Sequence, residues 1–367
     1  MKAALLLGHG GPEQLAVRDD VAMPTPSAGE VLVAVGACGV NNTDINTRIG
    51  WYGPQVDVAI ADLGDRSGRY GGGGTESPGT DQVGWSGSLH FPLIQGADVC
   101  GRVIGVGSSD NDSLLGQRVL VDPCLRQPGD PLGVGGVRYL GSECDGGFAE
   151  YTCVPAVNAH PISSNLSDVE LATFPCSGAT AENMLDRAGV EAGTVVAVTG
   201  ASGGVGSLLV QLAARRHAVV VAVTSASKAV AVRNLGADHI VERDHPNVSA
   251  EARRLAGQPL DVVADVVGGP GMPMWLSVLR RRGRYVTAGA IAGPMATIDL
   301  RTLYLNDLTM YGVTSFEPRI FADLIRWIER GDIRPMVGGV YALDEIHTAQ
   351  SAFGAKQHVG SIVLTPH

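Results

Sequence analysis

Residues 194–216 read TVVAVTGASGGVGSLLVQLAARR. Val195 to Val198 form a β-branched run, a glycine-rich turn follows, and an amphipathic segment begins at Gly204. Strand, glycine loop and helix in that order make an anion-binding site: glycines let the backbone approach a pyrophosphate, and the helix N-terminus presents free N–H groups. A glycine loop alone is weak evidence, but one placed between a β-branched strand and an amphipathic helix is strong. Ser202, Gly203, Gly204, Val205 and Gly206 are therefore predicted to hold a dinucleotide, although the first glycine of the usual G-x-G-x-x-G pattern is Ala201 here.

The surrounding sequence supports that reading. After 190, apolar β-branched runs alternate with helical patterns: AVVVAVTS, SKAVAVRNLG, DHIVERD, SAEARRLAG, LDVVADVVG, PMWLSVLRRRG and RYVTAGAI. This alternation is the signature of an α/β fold, a doubly wound parallel sheet of the Rossmann kind. Just upstream, Ser167 and Glu170 have capping-box spacing before a helical run. Residues 1–160 differ in texture, with short strand-like runs such as EVLVAVGACGV, GRVIGVG and QRVLVDP between turn residues, and predict a mostly-β, barrel-like domain. The organisation expected is 161–315 for the nucleotide domain, with 316–367 returning to the domain of residues 1–160. Residues 56–92 contain GGGG at 71–74 and read as a long loop or flap whose apolar end is Trp85, Leu89 and Phe91.

The second strand ends VAVTSASK, without the acidic residue that normally holds the ribose 2′-hydroxyl of NAD. Ser225 and Lys228 stand there instead, and Arg243 follows the third strand. Hydroxyls and cations without a carboxylate suit a 2′-phosphate, so NADP (as NADPH) is the expected cofactor.

Composition bounds the rest. A chain of 367 residues suits two domains. A formal charge of −10 argues against a nucleic-acid partner. Six cysteines without a C-x-x-C pair do not read as a disulfide framework, and reduced thiols in a cytoplasmic protein are expected. No apolar run reaches the ~18 residues of a membrane span. Lysine is scarce, with Lys2, Lys228 and Lys356 alone.

MKAALLL, GEVLVAVGACGVNNTDI, GRVIGVG, GGFAEY, GASGGVG, DVVGG and HVGSIVL occur in that order. Together they resemble the medium-chain dehydrogenase/reductase superfamily over essentially the full length, which implies a GroES-like catalytic domain beside the Rossmann domain. The glycine loop also fits the short-chain dehydrogenases, but no Tyr here has Lys four residues later. Within the medium-chain superfamily, Gly39, Val40, Asn41, Asp44, Arg48 and Gly50 are similar to the quinone oxidoreductase, or zeta-crystallin-like, branch. In zinc members, ligands fall on the positions of Asn41, Ala97 and Cys176, with Asp98 at the neighbouring acid. Catalytic zinc needs three N, S or O ligands from the protein and one open position; Ala97 cannot ligate and Asn41 is a poor ligand. The expectation is a metal-free enzyme, with Cys176 a small apolar residue.

The resemblance further implies an oxidoreductase that reduces a quinone or an α,β-unsaturated carbonyl, as a homodimer or homotetramer acting on a small-molecule substrate. It implies Asn41, Thr43 and Tyr52 as catalytic candidates: a donor to nicotinamide or substrate oxygen, a relay hydroxyl and a proton donor. It adds Thr180, Gly289, Ala290, Ile291 and Lys356 around the cofactor. Asp44 reads as structural, through an ion pair with Arg48 at helical spacing. The rivals are a zinc-type alcohol dehydrogenase with ligands rebuilt from Asp98, Cys176 and His90, and a protein that binds NADPH without turnover.

Overall fold

In a computed structural model, the residues described are 1–52, 89–134 and 136–366. The expected flap lies outside them up to residue 88; beyond it, Leu89 is buried and Phe91 packs edge-on against His9, their ring centroids 5.1 Å apart. The described residues form two compact units: 1–52, 89–176 and 317–366 in the first, and 177–316 in the second.

The second unit is the α/β half. Its six-stranded sheet runs, in spatial order, His239–Glu242, Val219–Thr224, Val195–Val198, Leu260–Asp265, Leu279–Thr287 and Thr309–Gly312. Every neighbouring pair is parallel. Helices cover such a sheet on both faces, so its strands read as continuous apolar runs rather than alternating ones; all four residues of Val195–Val198 are buried. The core gathers Val195, Val221, Val263, Trp275, Leu276 and Tyr285. Burying each large apolar side chain contributes about 1.5–3 kcal/mol before the cost of ordering the chain.

The first unit is the mostly-β, GroES-like half. Its main sheet follows the order Ala159–Pro161, Arg118–Val121, Asp98–Val106, Glu30–Val40, Ser361–Thr365 and Val337–Ala342, with Tyr151–Pro155 also paired to Glu30–Val40. The C-terminal strand joins the long N-terminal one antiparallel, Ile362 opposite Val40 and Leu364 opposite Cys38. This register fixes the end of Glu30–Val40, from which the chain turns into the helix Asn42–Arg48. The first unit extends through residue 176, past the expected edge at 160. Arg118 donates from Nη1 to Leu166 O at 2.9 Å, and Cys100 donates to Asp168 Oδ1 at 3.6 Å, which ties that segment to the β-rich half. The capping box of Ser167 with Glu170 is present, Ser167 N–H donating to Glu170 Oε2 at 2.8 Å. Among the described residues no helix is long and apolar enough to cross a membrane.

Candidate active site

The three catalytic candidates meet around the helix Asn42–Arg48 in the first unit. Asn41 is its N-cap, in extended conformation. The Asn41 N–H donates to Asp44 Oδ2 at 2.7 Å, closing a capping box. Asn41 Nδ2 donates to Asp98 Oδ2, also at 2.7 Å. The other Asp98 oxygen accepts the Cys176 N–H. Thr43, one residue into the helix, is buried, and its Oγ1 has no partner among the described residues. Tyr52 follows the helix, and its hydroxyl oxygen accepts from Asn46 Nδ2 at 3.3 Å.

The expected ion pair of Asp44 with Arg48 is not formed. Arg48 instead donates from Nε to Gln350 Oε1 at 3.1 Å and from Nη1 to Gly10 O at 2.9 Å. Asp44 turns to the unpaired amides at the helix start, where the N-terminal dipole favours a carboxylate; its Oδ1 accepts from Gly96 N at 3.2 Å. Gln95 Nε2 donates to the Asp44 carbonyl at 2.7 Å.

Two buried carboxyl groups thus flank Asn41. Burial pushes Asp98 up to about 7, against the opposing hydrogen bonds from Asn41 and Cys176. It pushes Asp44 up to about 8, opposed by the N–H groups of Asn41 and Gly96 and assisted by the charge of Asp98. Burial also raises the Cys38, Tyr139 and Cys176 groups well above their ordinary values, so all three are neutral at physiological pH. Cys176 is not merely a small buried apolar residue: it is partly exposed, and the Tyr139 hydroxyl donates to its sulfur.

The predicted nucleotide residues lie mostly in the second unit. Gly203 caps the helix Gly204–Arg215 in extended conformation. The first-turn amides of Gly204 and Val205 have no intrahelical acceptor and are partly exposed. Ser202 is partly exposed and Gly206 buried. A Cβ on Gly206 would lie 2.1 Å from Gly200 O, so the close approach of helix to loop requires glycine there. The Ala201 N–H donates to Val223 O at 3.1 Å, which fastens the loop to the second strand.

At that strand's end, Ser225 bonds Ser227 through their hydroxyls at 3.2 Å, and the Arg243 N–H donates to Thr224 O at 2.8 Å. Partial burial, then the nearby Arg243 charge, lower the Lys228 pKa, so the two cations share one neighbourhood. The Thr224 hydroxyl beside them is buried without a partner among the described residues. Gly289, Ala290 and Ile291 follow the strand Leu279–Thr287; a Cβ on Gly289 would meet Val266 O at 3.1 Å, which puts them beside the turn after Leu260–Asp265. Thr180 is partly buried on the helix Pro175–Arg187. Lys356 belongs to the first unit, not to this group. It ends the helix Ile346–Ala355 in left-handed conformation, and its ammonium donates to Asn42 Oδ1 at 3.0 Å while resting 3.4 Å from the Phe353 ring centroid.

Asp98 entered the sequence reading only in connection with a metal, and Tyr139 and the Lys356–Asn42 contact did not enter it. The signal available was the position of Asp98 beside Ala97; Tyr139 carried none.

Residues 74–164 match the alcohol dehydrogenase GroES-like domain, and residues 204–330 match the zinc-binding dehydrogenase family. The crystal structure of a putative alcohol dehydrogenase from Sinorhizobium meliloti is 43% identical, with a TM-score of 0.86 over 100% of this chain and 97% of that one. An NAD-dependent alcohol dehydrogenase of Sulfurisphaera tokodaii is 26% identical over 100% of both chains. A human quinone oxidoreductase is 25% identical over 95% of this chain and 92% of its own. Fold, glycine loop and these likenesses agree: the chain is an oxidoreductase of the medium-chain dehydrogenase/reductase superfamily.

Proposed function

We propose that the protein reduces a quinone or another α,β-unsaturated carbonyl with NADPH and without catalytic zinc. The observation that carries this reading is the engagement of Asp98. One oxygen accepts from Asn41 Nδ2 and the other from the Cys176 N–H. An amide thus occupies the first ligand position of zinc members and Ala97 the second, which leaves Cys176 alone of the three. Zinc binds thiolate, imidazole or free carboxylate, and this donor set does not fit it. Among the described residues no three His, Cys, Asp or Glu side chains are grouped to hold an ion, which also counts against a site rebuilt from Asp98, Cys176 and His90.

The nicotinamide cofactor supplies a hydride when bound. For it, the chain offers the Gly204 and Val205 amides to a pyrophosphate and Ser225, Lys228 and Arg243 to a 2′-phosphate. Hydride addition to a conjugated C=C bond places negative charge on the carbonyl oxygen, which needs a donor. Asn41, whose side-chain amide is held by Asp98, is the candidate donor for that task. Asp98 thereby fixes the amide's rotamer. The Thr43 hydroxyl and the Tyr52 phenol are the groups able to pass the final proton.

The test is cofactor oxidation over a panel of quinones, enones and aldehydes, run beside alcohol oxidation and metal analysis. Turnover of quinones or enones, retained in chelator by protein holding well under one zinc per chain, is expected. Stoichiometric zinc lost together with alcohol dehydrogenase activity would overturn the proposal, and binding of NADPH without turnover of any substrate would favour a non-catalytic role.

A further inference from the structure

The second unit carries a basic cleft that none of the chemistry above uses. It has a volume of about 670 Å³ and is lined by Arg281, Arg282, Arg284, Asp307 and Thr309. It sits where Arg284 pairs with Thr309 at the start of the edge strand, whereas the glycine loop follows the carboxyl end of Val195–Val198. In a parallel sheet these are opposite rims.

The charge there is uncompensated. Asp307 pairs with Arg281 at 2.6 Å, and Asp261 pairs with Arg280 outside the lining. Arg282 has no side-chain hydrogen bond or ion pair among the described residues, and Arg284 donates only from Nη1, to Gly189 O at 3.2 Å. The Arg284 Nε–H is buried and has no partner among the described residues. Two guanidinium groups without carboxylate partners among the described residues make a local excess of positive charge that attracts anions.

The backbone is committed to this arrangement. Arg282 has φ 62° and Asp307 φ 51°, left-handed conformations that non-glycine residues rarely take. The Arg282 N–H donates to Asn306 O at 2.8 Å, which locks the two turns together. Gly189, at φ +57°, admits Arg284: a Cβ there would come within 2.8 Å of Nη1.

We propose that this cleft binds a small phosphate-bearing anion, with Arg282 and Arg284 as the donors to its phosphate oxygens. Guanidinium forks match phosphate bidentately, and the unpaired Arg284 N–H gains its missing acceptor.

The test is calorimetric titration of inorganic pyrophosphate into the full chain at fixed ionic strength, with Lys228→Ala separating this cleft from the glycine-loop end. Binding that Arg282→Ser weakens about tenfold or more, that Arg282→Ser/Arg284→Gln abolishes, and that Lys228→Ala retains is expected. Reductase turnover should be the same in wild type and Arg282→Ser. No binding at low millimolar pyrophosphate, equal binding to wild type and Arg282→Ser, or binding lost in Lys228→Ala alone would overturn the assignment. Arg282 is exposed, so its single variant reads out binding even where loss of Arg284 perturbs the fold.

Discussion

Asn41 donates from its side-chain amide to Asp98 and from its backbone N–H to Asp44, each at 2.7 Å. One residue thus holds two buried carboxyl groups of the first unit. Replacing it by Ala keeps the backbone bond and removes the donor from Asp98. A buried acceptor without its donor costs about 1–3 kcal/mol. Denaturant unfolding at pH 8, where Asp98 is ionised, should show that loss, and kcat should fall by about 100-fold if the amide also serves the substrate oxygen. Unchanged stability at pH 8 would mean that the bond contributes nothing.

The same pair predicts how stability depends on pH. In the folded state Asp98 titrates near 7 and Asp44 near 8, against 3.8 for an exposed carboxyl group. The folded protein therefore holds protons that the unfolded chain has released. Stability contributed by the protonated groups is fully present below about pH 4 and declines through pH 7 to 8. Tm should fall as pH rises from about 5 to 8, and Asp98→Asn should flatten the curve. Parallel Tm curves for the two proteins would place the proton elsewhere.

The sheet was legible because its signals are local. The β-branched runs at Val195–Val198 and Val219–Thr224 and the glycine turn between strand and helix sit next to one another in the chain. The site was legible only where a motif carried it. Asn41 and Asp98 are 57 residues apart, and Lys356 reaches Asn42 across 314. No periodicity relates such pairs; only the folded chain brings them together. Asp44 was misread for a different reason. Spacing of four residues favoured Arg48, but in a helix this short the unsatisfied first-turn amides compete more strongly for the carboxylate.

Gly206→Ala tests the glycine loop by sterics alone. Its Cβ would meet Gly200 O at 2.1 Å and Ala201 Cα at 2.8 Å, all backbone atoms that no side-chain rotation relieves. The helix must shift away from the loop, at a cost of about 1–3 kcal/mol. NADPH affinity and Tm should fall together. Normal cofactor binding in a stable Gly206→Ala protein would show that the close approach is dispensable.

The choice of cofactor turns on the end of the second strand. Thr224, Ser225 and Lys228 stand where an acidic residue would exclude a 2′-phosphate, and Arg243 is near enough to depress the Lys228 pKa. Arg243 also pairs with Asp244 at 3.7 Å, and a 2′-phosphate beside Lys228 and Arg243 would lessen the repulsion between the two cations, which NADH cannot do. Lys228→Ala should weaken NADPH by about 1–3 kcal/mol, the value of a charge-assisted hydrogen bond, and leave NADH nearly unchanged. Arg243→Ala should act in the same direction, and the double variant should lose less than the sum of the two, because each single change already removes part of the repulsion. Fluorescence titration of both cofactors against the four proteins measures this cycle. A wild type that prefers NADH, or equal losses for both cofactors in Lys228→Ala, would remove the 2′-phosphate from the argument.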